Sequence, residues 1–231
     1  HWNAGVNSGP TRVAVDMKIP IVFYAEHGES EYGGRLLSKE HLYERDLTEV
    51  LEHQIGDDPV NWIGGSVTGG DIFPYEYPSL EDVRALGLRA LYFGYFHHWD
   101  VTENYKYVSE TFPFQGNFRG RTYGTFTDYD SVDDVMDDLY YYMQYIKFGF
   151  GRCLRDAARM TQRGKLSREE AFDLIRLYDG EFPDDSIDQC LDYLRMSRTE
   201  FDQVVDQHRA DWIWHKVHGE WVLRNPPQLE S

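Results

Sequence analysis

An acidic, glycine-containing loop follows the first strongly apolar segment of the chain. Residues 19–25 (IPIVFYA) are mostly β-branched and aromatic, a composition typical of a strand buried on both faces of a parallel sheet. Residues 26–34 (EHGESEYGG) come directly after it. In open α/β sheets, ligands bind beyond the carboxyl ends of the strands, where carboxylates can hold Mg²⁺, orient a hydroxyl or act as a base. The alternative, which composition alone favours, is a solvated loop in an acidic protein.

A second group of residues with possible chemistry lies in residues 140–152 (YYYMQYIKFGFGR). On an unbroken helix Lys147, Gly151 and Arg155 lie at successive turns, as do Arg152 and Asp156. Glycines between phenylalanines allow close approach to the backbone, and Lys147 and Arg152 supply positive charge suited to phosphate. The alternative, which spacing alone favours, is tight helix packing with the basic residues in internal ion pairs.

Residues 92–100 (YFGYFHHWD) form a third group, rich in aromatic side chains. His97 and His98 precede Asp100, but adjacent side chains point in different directions on a helix or a strand, so a packed or surface histidine pair is favoured over a metal site. The two cysteines form no CxxC motif or Cys/His cluster of the kind that binds zinc. The GxSxG, HExxH, GxGxxG and Walker A motifs are absent from the sequence.

The charge of the chain argues against a general nucleic-acid binder. The 231 residues include 40 acidic and 23 basic side chains, which gives a formal net charge of −17. A protein that binds phosphates along a polynucleotide needs a basic face to displace counterions. A hydrophobic content of 41% excludes global disorder. Because the sequence has no apolar run of about 20 residues and no signal-peptide pattern, we expect a cytoplasmic protein that does not enter the membrane.

The elements that would position these groups predict an α/β fold followed by a helical extension. Residues 19–25 and 88–96 (LRALYFGYF) are predicted as strands of a parallel sheet, and residues 36–55 carry a helical pattern. We therefore expect a partial nucleotide-binding-like α/β domain over residues 1–130 and a helical domain over residues 131–231.

Capping signals indicate where further helices begin. Apolar residues at helical spacing predict a long helix over residues 131–163, with Gly149 and Gly151 in its middle. Pairs of the capping-box type open this helix and two later ones, and single caps precede two shorter helices. The pairs are Ser131 with Asp134, Ser167 with Glu170 and Ser197 with Glu200, and the single caps are Ser79 and Asp100.

Several stretches together resemble the N-acetyl sugar amidotransferases of bacterial surface-polysaccharide and nonulosonic-acid biosynthesis. The resemblance covers about nine-tenths of the chain and is most specific in the combination of IKFGFGR with YDGEFP. The matching stretches are residues 10–34, 94–108 (GYFHHWDVTENYKYV), 123–152, 165–183 (KLSREEAFDLIRLYDGEFP) and 221–226 (WVLRNP). The resemblance implies an α/β fold of the PP-loop ATP pyrophosphatase type, with a parallel sheet.

Members of this family carry an N-terminal SGGKDS-type loop that binds the phosphates of ATP, and upstream cysteines that look like a zinc site. Neither feature occurs in these 231 residues. Residues 1–8 (HWNAGVNS) resemble an early strand and turn of the family's domain, whereas Pro10 onward resembles a later part. We therefore expect that a segment with the PP-loop is missing, either upstream or near residues 8–9, and that any zinc would belong to it.

The resemblance implies an activity that depends on ATP, Mg²⁺ and a protein partner. ATP adenylates the oxygen of a sugar N-acetyl group, and ammonia then displaces AMP to leave an acetamidino group. The ammonia is expected from a glutaminase that resembles the paired subunits of imidazole-glycerol-phosphate synthase. A homodimer through the aromatic surface of the helical part is a further expectation.

The resemblance also implies roles for particular residues. Glu26, Glu29 and Glu31 are expected to bind Mg²⁺ or to accept a proton from the attacking ammonia; relatives usually have Asn where this chain has His27. Lys147 and Arg152 are expected to neutralise phosphate, with Asp156 orienting the Arg152 guanidinium. The remaining expected substrate- or phosphate-binding residues are Gly28, Gly33, Gly34, Gly149 and Gly151, with Tyr95, Trp99 and Tyr141 as sugar-stacking side chains.

Two other functions stay open at the level of sequence. One is a relative without catalytic activity that docks the glutaminase or acts as a scaffold. The other is a different PP-loop enzyme, such as one that modifies tRNA, although the net charge of −17 counts against a large RNA substrate.

Overall fold

The computed structural model describes residues 2–25, 27, 38–48 and 57–228. The chain divides into two compact units, residues 1–104 and residues 105–231, and each unit is described by itself. The domain boundary that the sequence suggests, between residues 130 and 131, stays a prediction.

The N-terminal unit combines helices with a small sheet. Its helices and strands, in chain order, are α1 (Trp2–Asp16), β1 (Ile21–Tyr24), β2 (Glu44–Arg45), α2 (Gly69–Ile72), α3 (Leu80–Leu86), β3 (Arg89–Tyr92), α4 (Phe93–Phe96) and α5 (Val101–Thr111), the last of which continues into the second unit. Short 3₁₀ turns occupy Glu40–Leu42, Pro59–Trp62 and Phe73–Tyr75.

The sheet of this unit has three described strands in the order β1-β3-β2. β1 and β3 are parallel, with Ile21 opposite Arg89 and Tyr24 opposite Tyr92. β2 is antiparallel to β3. The predicted parallel pairing of the two apolar segments is therefore confirmed, and β2 makes the sheet mixed. The predicted burial of the first strand on both faces is wrong, because Ile21 and Phe23 are 45% and 56% exposed. A core of buried side chains packs with this sheet; its members are Ala14, Leu47, Val83, Leu88 and Ala90.

Three local predictions for this unit are wrong. The second strand stops at Tyr92, because residues 93–96 turn into α4. Where a helix was predicted over residues 36–55, the described residues 38–48 form a 3₁₀ turn and β2 instead, and Leu47 reaches the core from the turn that follows β2. Residues 2–8, predicted as a strand and turn, belong to α1, which continues without interruption to Asp16.

The C-terminal unit is mainly helical, as predicted. Its elements are α6 (Met136–Phe148), α7 (Arg152–Gln162), α8 (Arg168–Tyr178), α9 (Ile187–Leu194), α10 (Arg198–Gln207) and a hairpin of β4 (Trp214–Val217) with β5 (Glu220–Leu223). The apolar core of the unit comes from α6, α9 and α10; its buried members are Leu139, Ile146, Ile187, Cys190, Leu191, Phe201 and Val205.

The long helix predicted over residues 131–163 is two helices. Gly149 takes the left-handed conformation (φ +74°) and its N–H bonds to the carbonyl of Tyr145, which ends α6. Gly151 then serves as the N-cap of α7. The glycine pair therefore ends one helix and starts the next, which is the usual use of glycine at helix ends.

Most of the predicted caps are confirmed. Ser167 with Glu170 and Ser197 with Glu200 form reciprocal capping boxes at the starts of α8 and α10. The Ser79 hydroxyl accepts from the N–H of Asp82 at 3.1 Å, and the Asp100 carboxylate accepts from the N–H of Thr102 at 2.9 Å. The Ser131–Asp134 box is wrong, because Ser131 is left-handed (φ +52°) and α6 begins only at Met136.

Candidate functional site

The candidate site of the C-terminal unit centres on Arg152, the first residue of α7. Its side chain is fully buried, and the Nη2 atom donates to the carbonyl oxygen of Asp130 at 2.6 Å and lies 3.3 Å from the Asp130 carboxylate. The guanidinium stacks on the ring of Tyr141, 4.3 Å from its centroid. The Nε and Nη1 atoms have no hydrogen-bond partner among the described residues. Buried N–H groups without partners are rare, so this guanidinium retains an unused capacity to bind an acceptor.

A second arginine of α7 lies in the same cluster of charges. Arg155 Nη2 is 2.7 Å from the carboxylate of Asp130, and Arg155 Nε is 3.0 Å from that of Asp156. Asp156 also accepts a hydrogen bond of 2.7 Å from the Thr125 hydroxyl. Burial acts to lower the pKa of Arg155, but Asp156, Tyr141 and Asp130 outweigh it and raise the pKa above its ordinary value. Arg155 is therefore a permanent cation of this cluster.

The predicted partnership of Asp156 with Arg152 takes a different form. The two residues lie one turn apart on α7, as predicted, but Asp156 pairs with Arg155, and the acidic partner seen for Arg152 is Asp130. Asp130 precedes α6 and is 22 residues from Arg152, so helical spacing gave no signal for it.

The two glycines of the FGFG stretch are closely approached by other parts of the same unit. A Cβ atom at Gly149 would lie 2.6 Å from Ile213 Cγ2 and 3.0 Å from Leu223 Cδ2. A Cβ atom at Gly151 would lie 2.7 Å from an oxygen of Asp179. The sequence left open whether these glycines make room for a ligand or for tight packing. The close neighbours in the structure are parts of the protein itself, as packing requires; binding of a ligand there stays a prediction.

The N-terminus of α7 is occupied by a carboxylate of the YDGEFP stretch. Asp179 accepts hydrogen bonds from the N–H groups of Gly151, at 2.9 Å, and Leu154, at 3.2 Å. Burial raises the pKa of Asp179, and these backbone hydrogen bonds oppose the increase. The two stretches whose combination is most specific in the sequence therefore contact each other directly.

Lys147 is placed differently from Arg152. Its side chain is exposed, and Nζ lies 5.1 Å from the centroid of the Phe148 ring. Because Gly149 ends α6, Lys147 and Gly151 are on separate helices, so the predicted one-turn spacing between them is wrong. Tyr141, Arg152 and Asp156 are thus the predicted site residues that the structure brings into one cluster.

Tyr95 and Trp99 belong to the N-terminal unit. Tyr95 is 56% exposed and its ring contacts Tyr43 and Phe96, with centroids 5.4 Å and 5.2 Å away. Trp99 is half-buried and packs by its Cβ atom near Gly94. The Tyr95 side chain is therefore largely exposed, and its predicted stacking on a sugar stays a prediction.

The acidic loop is represented in the described chain by His27. Its ring is buried, stacks on Tyr92 with centroids 4.0 Å apart, and places Nε2 2.6 Å from the carbonyl oxygen of His41. The other predicted residues of this loop lie outside the described residues, and they are Glu26, Gly28, Glu29, Glu31, Gly33 and Gly34. Their roles stay predictions.

No group of three or more His, Cys, Asp or Glu side chains that could hold a metal ion occurs in the part of the chain that the structure describes. A cavity of about 720 Å³ in the N-terminal unit is lined by Arg12 and several carboxylates, including Asp16 and Asp58, and by none of the predicted site residues. Among the described helices, none is long and apolar enough to span a bilayer.

Several residues of the cluster were not selected from the sequence. Arg155, Asp130 and Asp179 are as closely involved as the predicted residues. Asp179 carried a usable signal, because it belongs to the YDGEFP stretch. Asp130 carried no such signal, because its contacts with Arg152 and Arg155 form only when the segment before α6 packs against α7.

Residues 123–226 match the family model described as the C-terminal domain of WbpG-like LPS biosynthesis proteins. The matched range includes the whole of α6 and α7 and the YDGEFP stretch. The match supports the resemblance to a family of lipopolysaccharide biosynthesis proteins. A comparison with curated proteins finds no significant match.

Proposed function

We propose that the chain is part of an ATP-dependent amidotransferase that converts a sugar N-acetyl group to an acetamidino group in lipopolysaccharide O-antigen biosynthesis. The observation that carries this proposal is the match of residues 123–226 to the WbpG-like C-terminal domain. The same range holds the IKFGFGR and YDGEFP stretches, which gave the resemblance to sugar amidotransferases, and they meet at the start of α7.

The proposed reaction activates an unreactive amide. The amide oxygen attacks the α-phosphorus of ATP and releases pyrophosphate, which gives an O-adenylated imidate. Ammonia adds to the imidate carbon and gives up a proton, the C–O bond then breaks so that AMP leaves with the oxygen, and an amidine remains. Water competes with ammonia at the same carbon, and the enzyme must therefore exclude it from the site.

Arg152 is the residue of the described chain that best fits this chemistry. A buried guanidinium stabilises negative charge that develops on a phosphoryl group, because few solvent dipoles screen it. Two of its three nitrogens, Nε and Nη1, have no partner among the described residues, whereas Nη2 is held by Asp130. We assign to Arg152 the neutralisation of the adenylyl group, with the exposed Lys147 as a second cation.

The other predicted residues complete the proposal. Glu26, Glu29 and Glu31 would hold Mg²⁺ or accept the proton that ammonia loses as it attacks, and the glycines of the same loop would let substrate approach the backbone. Tyr95, Trp99 and Tyr141 would stack on the sugar. The PP-loop that binds the ATP phosphates would be supplied by a segment outside these 231 residues, as would any zinc site.

A glutaminase partner follows from the need for ammonia, which is mostly ammonium at neutral pH. We propose a complex with glutaminase subunits of the imidazole-glycerol-phosphate synthase type, a cytoplasmic location, and a nucleotide-linked or free N-acetylated sugar as substrate. Glutamine-dependent turnover by the protein alone, with no second subunit present, would contradict the partner proposal.

The test uses the full-length protein with its glutaminase and follows AMP release and amidine formation. Removing one charged contact in a dry site costs about 2–4 kcal/mol, or roughly 10²–10³ in rate. We expect Arg152→Gln and Glu29→Gln each to lose this much activity, and Arg152→Lys to lose less. Arg176→Gln is the matched control, because Arg176 is 60% exposed in an ion pair on the surface of α8.

Near-normal turnover by folded Arg152→Gln and Glu29→Gln would show that these residues do not serve the reaction. A role in binding or scaffolding is the competing function. The full encoded sequence distinguishes the enzyme from the binding or scaffolding protein. An SGGKDS-type loop in that sequence supports the enzyme, and its absence supports the binding or scaffolding role.

A further inference from the structure

The N-terminus of a helix is an anion site, because its first N–H groups have no partner within the helix and the helix dipole places positive charge there. In α7 this position is filled by the protein itself. Asp179 accepts from the N–H of Gly151 at 2.9 Å and from that of Leu154 at 3.2 Å. A ligand phosphate therefore finds the end of α7 already occupied by a carboxylate.

The contact depends on the absence of a side chain at residue 151. A Cβ atom there would lie 2.7 Å from one oxygen of Asp179 and 3.2 Å from its carboxyl carbon. Real Cβ atoms essentially never come so close to another heavy atom, so the carboxylate would have to move. Gly151 and Asp179 thus form one unit, contributed by residues 28 positions apart in the sequence.

Arg152 is the next residue after Gly151, and its side chain starts from the turn that Asp179 holds. The guanidinium is confined by the Asp130 carbonyl and by the ring of Tyr141. These two neighbours hold the end of the side chain. The direction of its free N–H groups also depends on the position of the Arg152 backbone, which must be held in place as well. The hydrogen bonds of Asp179 to Gly151 and Leu154 supply that constraint.

We propose that Asp179 is a positioning residue for Arg152: it fixes the first turn of α7 so that Nε and Nη1 of Arg152 are presented to an anionic group of the substrate. This inference rests on the proposed function for the identity of that anionic group. It assigns phosphate recognition to the arginine side chain and excludes the helix end as the phosphate site.

The first experiment observes Arg152 directly, in the full-length protein labelled with ¹⁵N. The Arg152 Nε–H signal is assigned through its loss in Arg152→Lys, and it is then compared in Asp179→Asn and Glu181→Gln. Glu181 is the matched control, since it belongs to the same YDGEFP stretch but pairs with Arg121. We expect Asp179→Asn to shift this signal and to speed exchange of the Leu154 amide, and Glu181→Gln to leave the signal unchanged and to speed that exchange by less.

Gly151→Ala is the second variant, because it displaces the carboxylate without removing its charge. It should move the Arg152 signal in the same way as Asp179→Asn. If neither variant changes the Arg152 Nε–H signal, the positioning role is wrong, whether or not the protein is an amidotransferase.

The second experiment measures turnover with the glutaminase present. The interaction of a carboxylate with a helix N-terminus corresponds to a factor of roughly 2 to 30, and we expect Asp179→Asn to lower kcat/KM by this factor. The fold-losses in kcat/KM of Asp179→Asn and Arg152→Lys should not multiply in the double variant, because both substitutions act on the Arg152 guanidinium. The fold-losses of Glu181→Gln and Arg152→Lys should multiply. Full multiplication of the Asp179→Asn and Arg152→Lys effects would overturn the proposal. Suppose instead that Asp179→Asn shifts the Arg152 signal but the wild-type protein has no amidotransferase activity. This result would reject the proposed function and leave the positioning role of Asp179 intact.

Discussion

Arg121 and Glu181 are 60 residues apart in the sequence and form an ion pair in which two nitrogens each lie 2.6 Å from a carboxylate oxygen. Glu181 also accepts a hydrogen bond of 3.0 Å from the N–H of Gly124. The Arg121 guanidinium lies over the ring of Tyr178, 4.6 Å from its centroid. The irregular segment that contains Arg121 is therefore tied to the end of α8 by charge.

We expect Glu181→Gln to destabilise the protein by about 1–3 kcal/mol at pH 7, the usual cost of losing a hydrogen-bonded charge pair. Burial acts to raise the pKa of Glu181, but the hydrogen bonds from Arg121 and Gly124 outweigh it and lower the pKa below its ordinary value. In acid the unfolded chain binds the proton first, so the wild type loses this stability as the pH falls below about 4.3. Denaturant unfolding of both proteins between pH 3 and 7 should show the two curves converging in acid; parallel curves would contradict the assignment.

Asp138→Asn should show the opposite pH dependence. Burial raises the pKa of Asp138, although a 2.9 Å hydrogen bond from Ser186 and the charges of Arg119 and Arg152 act to lower it. A raised pKa in the folded state means that this carboxyl contributes most at low pH, and that the contribution is lost as the pH rises through its folded pKa. In the same unfolding series, the stability of Asp138→Asn relative to wild type should increase from pH 3 to pH 7. A relative stability that decreases over this range would show that Asp138 is a stabilising anion.

Gly149→Ala tests whether the FGFG stretch is built for packing. The left-handed backbone (φ +74°) costs alanine about 1–2 kcal/mol. Overpacking against Ile213 and Leu223 adds about 1–3 kcal/mol. We expect a total loss of about 2–5 kcal/mol in the free energy of unfolding.

Gly164→Ala is the matched control for that substitution. Gly164 has nearly the same backbone angle (φ +70°), but a Cβ atom added there would have no other atom within 4 Å. The Gly164→Ala variant should therefore lose only the backbone contribution of about 1–2 kcal/mol. Equal losses in the two variants would show that the contacts at Gly149 carry no energy.

Features that depend on neighbouring residues could be predicted from the sequence. The Ser167–Glu170 and Ser197–Glu200 capping boxes involve residues three positions apart, and both formed as predicted. The parallel pairing of β1 with β3 followed from two apolar runs whose composition fits a buried sheet. The caps depend on contacts within one segment, whereas the pairing was predicted from composition, although Ile21 and Phe23 of β1 are exposed in the structure.

The cluster around Arg152 was only partly predictable, because its members come from distant segments. Tyr141 and Asp156 were selected from the same stretch as Arg152, whereas Asp130 and Asp179 reach it from other parts of the chain. The break at Gly149 was missed for a different reason. Glycine can occupy a helix interior at a cost of about 1 kcal/mol, so a glycine in the sequence does not by itself indicate a helix end. At Gly149 the contacts with Ile213 and Leu223, which come from distant segments, leave no room for a side chain.

The two cysteines provide a last test of how closely the C-terminal unit is packed. Cys153 of α7 and Cys190 of α9 are both fully buried. Burial raises the pKa of Cys153 to about 12, with the charges of Asp179 and Asp156 acting in the same direction, and burial also raises that of Cys190. A thiol reagent reacts with the thiolate, so both residues should be unreactive at pH 8 in the native protein. Two thiols should react at once in denaturant, and an exposed cysteine introduced by Ala158→Cys should react promptly without it. Rapid labelling of Cys153 in the native wild type would mean that the buried face of α7 opens readily, and that Arg152 is not held in the fixed position its neighbours indicate.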